Sequence, residues 1–391
     1  MYKIKRNCVI CDSSNLKKII ELKKFPITGI YTKNKINKFS NYFDQKLNLC
    51  KNCGHIQLNK FLSRKILYNE RYTFRTSDSH LSDQSINFFK NFIFRCYKKK
   101  KLGNVLEIGC NDVKLLKSLR KSANVVFGID PIWKNKKNPS KRNFRIIGDY
   151  AENIDFKKKI NKNINIFLNT HNLEHIEEPY KLLSKIVNFS SKNTYFFIEV
   201  PDADLMIKNY RFDQIFHQHY HYFNFNSLKN LIYRLNCKII KKTINHDYWG
   251  GSLIVAFKKN SKLKKKKLKN NYKLINKKLK NNYFFFKNHY KKLSIKLKNK
   301  NNLIGYGAGQ MLPTLAYHLN SNLYFLKYII DDNKHKKNMK YQNLSPRIKF
   351  YSKKLLKNKE VLITALDGVK AISRKLNKYN TKFINPLVRV N

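Results

Sequence analysis

Three clusters of residues in this chain could do chemistry. Between positions 212 and 223 it reads Phe212-Asp213-Gln214-Ile215-Phe216-His217-Gln218-His219-Tyr220-His221-Tyr222-Phe223, with three histidines at alternate positions. An extended backbone would put all three imidazoles on one face. There they could bind a metal, act as general bases near neutrality, or pack among the surrounding aromatics. Asp213 is the only nearby carboxylate along the chain, so the base and packing readings rank above metal. The second cluster is a pair of Cys-x-x-Cys knuckles, Cys8 with Cys11 and Cys50 with Cys53. A two-residue gap lets both thiolates of a knuckle face one ion, and two knuckles complete tetrahedral zinc with no position left for water, which marks a structural site. Reduced, buried cysteines are the alternative, and His55 is a spare ligand. The third cluster is Glu107-Ile108-Gly109-Cys110-Asn111-Asp112, where an apolar strand runs into a glycine turn. Gly109 lets the backbone approach a ligand, with Glu107 and Asn111 beside it. A second strand, Val125-Val126-Phe127-Gly128-Ile129, ends at Asp130, whose carboxylate could take both hydroxyls of a ribose. Val113 stands where a dinucleotide fingerprint has its last glycine, which turns the reading from NAD toward S-adenosylmethionine (SAM), a ligand with no pyrophosphate to cradle.

Positioning these groups requires strands that alternate with helices. Further strands are expected at 164–168 and 195–200, giving a doubly wound parallel sheet with its ligand at the strand ends, in the order of a class I methyltransferase core. The fold class is therefore α/β, in four segments. A zinc-ribbon-like module occupies 1–70 and the SAM-binding core 71–260. A lysine-rich helical connector follows over 261–300, with Leu263, Leu268, Leu274, Leu279, Phe284, Phe285 and Tyr290 at near-helical spacing. A second Rossmann-like domain over 301–391 opens with Leu303-Ile304-Gly305-Tyr306-Gly307-Ala308-Gly309 and continues through strands near 324–330 and 361–365.

Composition sets the boundaries. The 391 residues suit two or three domains, and 42% hydrophobic with 14% aromatic residues is enough to build cores. Net charge is +58, from 82 Lys+Arg against 24 Asp+Glu. Lysine rises together with asparagine and isoleucine, as expected of an AT-rich coding sequence, while a positive field would also speed capture of a phosphorylated substrate. A nucleic-acid partner is the second-ranked reading, because the lysines are spread over every segment instead of forming one face. No apolar run approaches the roughly 18–20 residues of a membrane span, the first residues lack an apolar signal core, and seven cysteines, an odd number, suit a reducing compartment. A cytoplasmic address is expected.

Taken together, these motifs resemble the sugar C-methyltransferase family, which acts on nucleotide-linked keto-sugars. The resemblance spans nearly the whole chain. It runs through the four cysteines, segment 72–79, residues 107–112, Glu199-Val200-Pro201, the 212–219 cluster, Gly250-Gly251-Ser252-Leu253 and Gly305-Tyr306-Gly307-Ala308. It implies structural zinc, SAM, and a C-terminal domain whose Gly305 and Gly307 help hold the nucleotide-sugar. It also implies that His219, the last histidine of a Tyr-His-Glu-His motif, is the base that removes a proton next to a ketone. Here the motif reads Phe216-His217-Gln218-His219, so Tyr220, Tyr222 or His217 would have to supply the missing phenol or carboxylate, with Phe216 and Gln218 contacting substrate. An RNA methyltransferase, or an O- or N-methyltransferase of a sugar or small metabolite, are the alternatives.

Overall fold

The structure, a computed structural model, describes residues 2–33, 42–67, 75–76, 80–136, 139–260, 271–300 and 302–388. Most of segment 72–79, and Leu263 and Leu268, lie outside the described residues.

The central sheet has seven strands, in the spatial order Cys237–Asn245, Ser252–Lys259, Tyr195–Pro201, Ile166–Thr170, Asn104–Ile108, Val125–Ile129, Phe144–Ile147. Counted in chain order, that is 6-7-5-4-1-2-3. The seventh strand, Ser252–Lys259, runs antiparallel to both neighbours and the other six are parallel, which is the class I methyltransferase sheet. Helices cover both faces, so strands such as Tyr195–Pro201 bury nearly every residue and read as apolar runs without alternation. The crossover helices, among them Lys114–Leu119 and Pro179–Phe189, present Leu115, Leu116 and Leu119, and Leu182, Leu183 and Ile186, to the two faces. All parallel strands end at one edge, and the candidate cofactor residues sit there.

The N-terminal module is an antiparallel sheet of Leu16–Pro26, Tyr42–Cys50 and Ile56–Leu58, and its fourth strand comes from far away in sequence. His221–Tyr222 pairs with Ile56–Gln57, so the histidine-rich segment is built into the zinc module's sheet. The C-terminal domain has five parallel strands in the order Ile348–Phe350, Leu326–Asp331, Leu303–Tyr306, Glu360–Ile363, Phe383–Ile384, the expected Rossmann-like arrangement. Its Lys340–Tyr341 pairs with Tyr31–Thr32 of the N-terminal module.

The connector is a helix over Tyr272–Lys298. Its packing stripe is Ile275, Leu279, Phe286, Tyr290, Leu293 and Leu297, whereas Leu274, Phe284 and Phe285 of the predicted stripe are exposed. The stripe enters the same core as the N-terminal sheet and the first C-terminal helix, so this helix fastens domains together.

Candidate functional site

The four cysteines converge. Cys8 Sγ lies 3.5 Å from Cys53 Sγ and Cys11 Sγ 3.6 Å from Cys50 Sγ, with all four sulfurs within 4.8 Å of one another. Tetrahedral Zn–S bonds of about 2.3 Å place sulfurs about 3.8 Å apart, so the donor set fits zinc. The amide of Asn52 donates to Cys50 Sγ, as a thiolate in such a turn requires. His55 is not a ligand: its Nε2 faces His221 Nδ1 at 3.3 Å, and burial pushes its pKa down to about 3.

At the edge of the central sheet lies a cavity of about 710 Å³. Glu107, Gly109, Asn111 and Asp130, the cofactor candidates of the sequence, line one end. Gly109 has φ +75°, and a Cβ there would come within 2.5 Å of the Asn172 side chain, so the turn requires glycine. Asn111 (φ 44°) and Val113 (φ 62°) are left-handed too. At Val113 a buried β-branched residue thus occupies a strained left-handed position. Asp130 holds the turn: Oδ2 accepts from the Asn111 amide at 2.8 Å and Oδ1 from the Ile132 amide at 3.0 Å. Burial pushes Glu107 up to about 8, against a 3.3 Å hydrogen bond from Thr170 Oγ1, and its Oε2 has no partner among the described residues. A buried carboxyl with a free oxygen at a strand end suits an ammonium group.

At the other end the three histidines separate. A turn at His217–Gln218, closed by His219 N donating to Phe216 O at 3.1 Å, breaks the predicted extended backbone, so the alternating imidazoles do not share a face. Only His219 of the three enters the cavity, beside Phe216 (ring centroids 4.0 Å apart) and Trp249 (5.7 Å). His217 points the opposite way: Nε2 donates to Phe25 O at 3.1 Å and Nδ1 accepts from Gln45 at 3.4 Å. Burial takes its pKa down to about 4, making it a neutral strut between modules, outside the cavity lining. Gln218 likewise turns away, accepting from Thr28 Oγ1 at 3.0 Å and donating to Thr28 O at 2.8 Å. Tyr222 is spent on the backbone of Phe216, accepting from its amide at 3.1 Å, and lies behind His219 rather than in the cavity lining. Tyr220 donates to Leu62 O at 2.6 Å.

Gly305 and Gly307 also stand apart from the cavity lining. Gly305 is inside a strand against Ile329, and Gly307 (φ +98°) lies against Ala365. The glycine turn they open is closed by the protein itself. Ala308 O accepts from Tyr31 OH and Lys336, Gly309 O accepts from Tyr341 OH, and Asp331 Oδ2 accepts from the Ala308 amide. The C-terminal domain reaches the cavity through Gln310.

The sequence reading missed the carboxylates and histidines that complete this end. Glu174 and His175 lie on the turn Leu173–His175, His171 follows strand Ile166–Thr170, and Glu199 lies in Tyr195–Pro201. The pattern His-x-x-Glu-His directly after a parallel strand was the available signal, because such strand ends are where ligands bind. His219 Nε2 lies 3.9 Å from Glu174 Oε1, the carboxylate that the sequence around Asp213 did not offer. Asp213 itself is committed to Arg211 at 2.8–2.9 Å.

Comparison with known proteins matches two stretches of the chain. Residues 82–242 match a family described as "Methyltransferase domain" and residues 8–68 one described as "Putative zinc binding domain". The centre of the chain is a SAM-dependent methyltransferase domain, and its N-terminal part is a zinc-binding module. One curated relative, the C-methyltransferase NovU of Streptomyces niveus, is 23% identical over 215 residues, which are 53% of this chain and 49% of NovU. The chain thus spans about half the length of that relative. Among solved structures, N-methyltransferase NodS from Bradyrhizobium japonicum with S-adenosyl-l-homocysteine has a TM-score of 0.36 at 10% identity, over 49% of this chain and 93% of its own. The plantazolicin methyltransferase BpumL has a TM-score of 0.37 at 15% identity, over 47% and 87%.

No helix among the described residues is long and apolar enough to cross a membrane.

Proposed function

We propose that this protein is a SAM-dependent C-methyltransferase that acts on a nucleotide-linked keto-sugar, with His219 as the general base. The observation that carries the proposal is that one cavity joins the Glu107–Gly109–Asp130 end to a buried, neutral imidazole. Burial, and after it His175, His171 and His221, hold His219 well below the ordinary histidine range, so its lone pair is available at neutral pH. A carbon next to a ketone becomes nucleophilic when it loses a proton. His219 takes that proton, and the electron pair stays on the substrate as an enolate. Phe216 and Trp249 shape the space beside the imidazole and exclude water from it. Glu107 and Asp130 hold the cofactor, which supplies an electrophilic methyl group when bound.

The cavity's charge pattern supports a phosphorylated sugar. In a chain with 24 acidic residues, Glu107, Asp130, Glu174 and Glu199 gather inside, where they can accept from hydroxyls, while the basic lining residues Arg64, Arg75 and Lys114 are half-buried and Lys134 and Lys136 exposed. The similarity to NovU supports methylation at carbon. An RNA substrate is less well matched, since a polyanion gains little from an interior lined with carboxylates.

Calorimetric titration with SAM, then with a panel of nucleotide-linked keto-sugars in the presence of S-adenosylhomocysteine, tests the proposal. Saturable binding of both is expected, and failure to bind SAM would sink it. His219→Ala should leave SAM binding intact and lower turnover by roughly 10²- to 10⁴-fold. Solvent deuterium entering the acceptor carbon distinguishes carbon from oxygen or nitrogen methylation.

A further inference from the structure

Behind His219 lies an arrangement that the base alone does not explain. Glu174 is 1% exposed, and both of its carboxylate oxygens lack a hydrogen-bond partner among the described residues. A buried acceptor with nothing to accept from is costly unless charge nearby compensates it. The compensation comes from imidazoles. Glu174 Oε1 is 3.9 Å from His219 Nε2 and 3.6 Å from His171 Nδ1, and His171 Nε2 is 3.6 Å from Glu199 Oε1 and 3.1 Å from Ser252 Oγ. Base and acid alternate along a line, His219, Glu174, His171, Glu199, in which His171 alone is partly exposed, and His175 Nε2 joins it at 3.9 Å from Glu174 Oε1. His171 has a left-handed backbone (φ 45°), a strained conformation for a non-glycine residue, and meets Tyr248 edge-to-face and Trp249 in a stack.

We infer that Glu174, His171 and Glu199 form a charge-balancing relay for the proton that His219 removes, with Glu174 the positioning residue for the His219 imidazolium. The inference rests on the reading of His219 as the base. With both glutamates as carboxylates and His171 as a cation, the line carries one net negative charge. When the acceptor's C–H bond breaks, its electron pair remains in the enolate and its proton goes to His219. The line then becomes neutral instead of gaining a buried, isolated cation. After product leaves, the proton passes to water. Burial opposes charge on His171, but Glu174 and Glu199 on either side win and raise it to about 9. Among the described residues, the other rings packed against His219, those of His175, Phe216, Tyr222 and Trp249, carry no negative charge. His175, whose Nδ1 donates to Gln218 O at 2.7 Å, lies at a ring distance of 4.8 Å, and His221 and Tyr222 continue the chain behind it.

The test is a titration of histidine side-chain nitrogens by NMR in the intact, zinc-loaded protein with S-adenosylhomocysteine, combined with turnover of a nucleotide-linked keto-sugar. The relay requires His171 to be doubly protonated at pH 7 and to lose its proton near 9. Glu174→Gln and, separately, Glu199→Gln should lower that titration by about one to three pH units, the effect of removing an opposite charge at this range. In Glu174→Gln, kcat should fall roughly 3- to 30-fold if about half of the lost basicity is felt in the transition state, with KM and cofactor affinity unchanged. A His171 that is neutral at pH 7, or one that titrates identically in all three proteins, overturns the relay. So does a second tightly bound metal ion lost in Glu174→Gln, since Glu174, His175 and His219 would then be its ligands. If His219→Ala is inactive while Glu174→Gln matches wild type in titration and kcat, only the relay fails. Full turnover in His219→Ala overturns the base as well.

Discussion

Cofactor binding should expel a proton, and Glu107 sets its amount. In the unliganded protein burial places its carboxyl near 8, so at pH 7 only about one molecule in ten carries the carboxylate. An ammonium group brought within about 4–6 Å would lower that value by roughly one to three units and select the ionised form. The complex should therefore release about half to nine-tenths of a proton at pH 7, about half or less at pH 8, and almost none above pH 9.5. Calorimetric titration with SAM at pH 7 in two buffers of very different ionisation enthalpy measures this number directly, because the observed heat scales with the protons passed to buffer. Glu107→Gln should abolish the buffer dependence and weaken binding. The same group affects stability. The folded apo-protein keeps the proton up to about pH 8, while the unfolded chain loses it near 4.5, so the folded state binds more protons in between. Glu107's contribution to stability must therefore fall as pH rises through that window and level off above it, by at most about 5 kcal/mol. Heats that do not depend on buffer, with undiminished affinity, would refute both the placement of Glu107 at the ammonium and its raised pKa.

Three further outcomes follow from the geometry. Gly109→Ala would set a Cβ within 2.5 Å of the Asn172 side chain at φ +75°. It should abolish the thermal shift given by S-adenosylhomocysteine and lower the melting temperature. Chelating the zinc should stop methyl transfer while leaving SAM affinity near its original value, because the Cys8–Cys53 module carries the strand that pairs with His221–Tyr222 and holds His219. Calorimetry and turnover on the same chelated sample decide it. Arg211→Met would strand Asp213, fully buried, without its bidentate partner and leave Asp367 of the C-terminal domain, now 2.7 Å from Arg211, with only the Gln214 amide at 3.2 Å among the described hydrogen-bond partners. A loss of about 3–5 kcal/mol in urea denaturation is expected, partly recovered by adding Asp213→Asn.

What could be read from the sequence was whatever local spacing dictates. Strand Val125–Ile129 runs over the residues expected of it, since a fully covered parallel strand is a continuous apolar run that ends where a polar residue reaches the sheet edge. The cysteine pairs met because two-residue knuckles can hardly do otherwise around one ion. The histidine cluster shows the limit. Alternation predicts a shared face only if the backbone is extended, and whether it is extended at His217 depends on Phe25, Thr28 and Gln45, nearly two hundred residues earlier. Those partners draw His217 and Gln218 out of the site and leave His219 in it. The turn that Gly305 and Gly307 open depends on distant residues too: its carbonyls at Ala308 and Gly309 accept from Tyr31 and Tyr341 of another strand pair. In each case a residue's type announced a capacity, and a partner distant in sequence decided its use. The N-terminal module supplies a partner in both cases, Phe25, Thr28 and Gln45 in the first and Tyr31 in the second. By binding the backs of both the His219 segment and the C-terminal turn, it ties the four cysteines to the geometry of the cavity although they lie outside its lining.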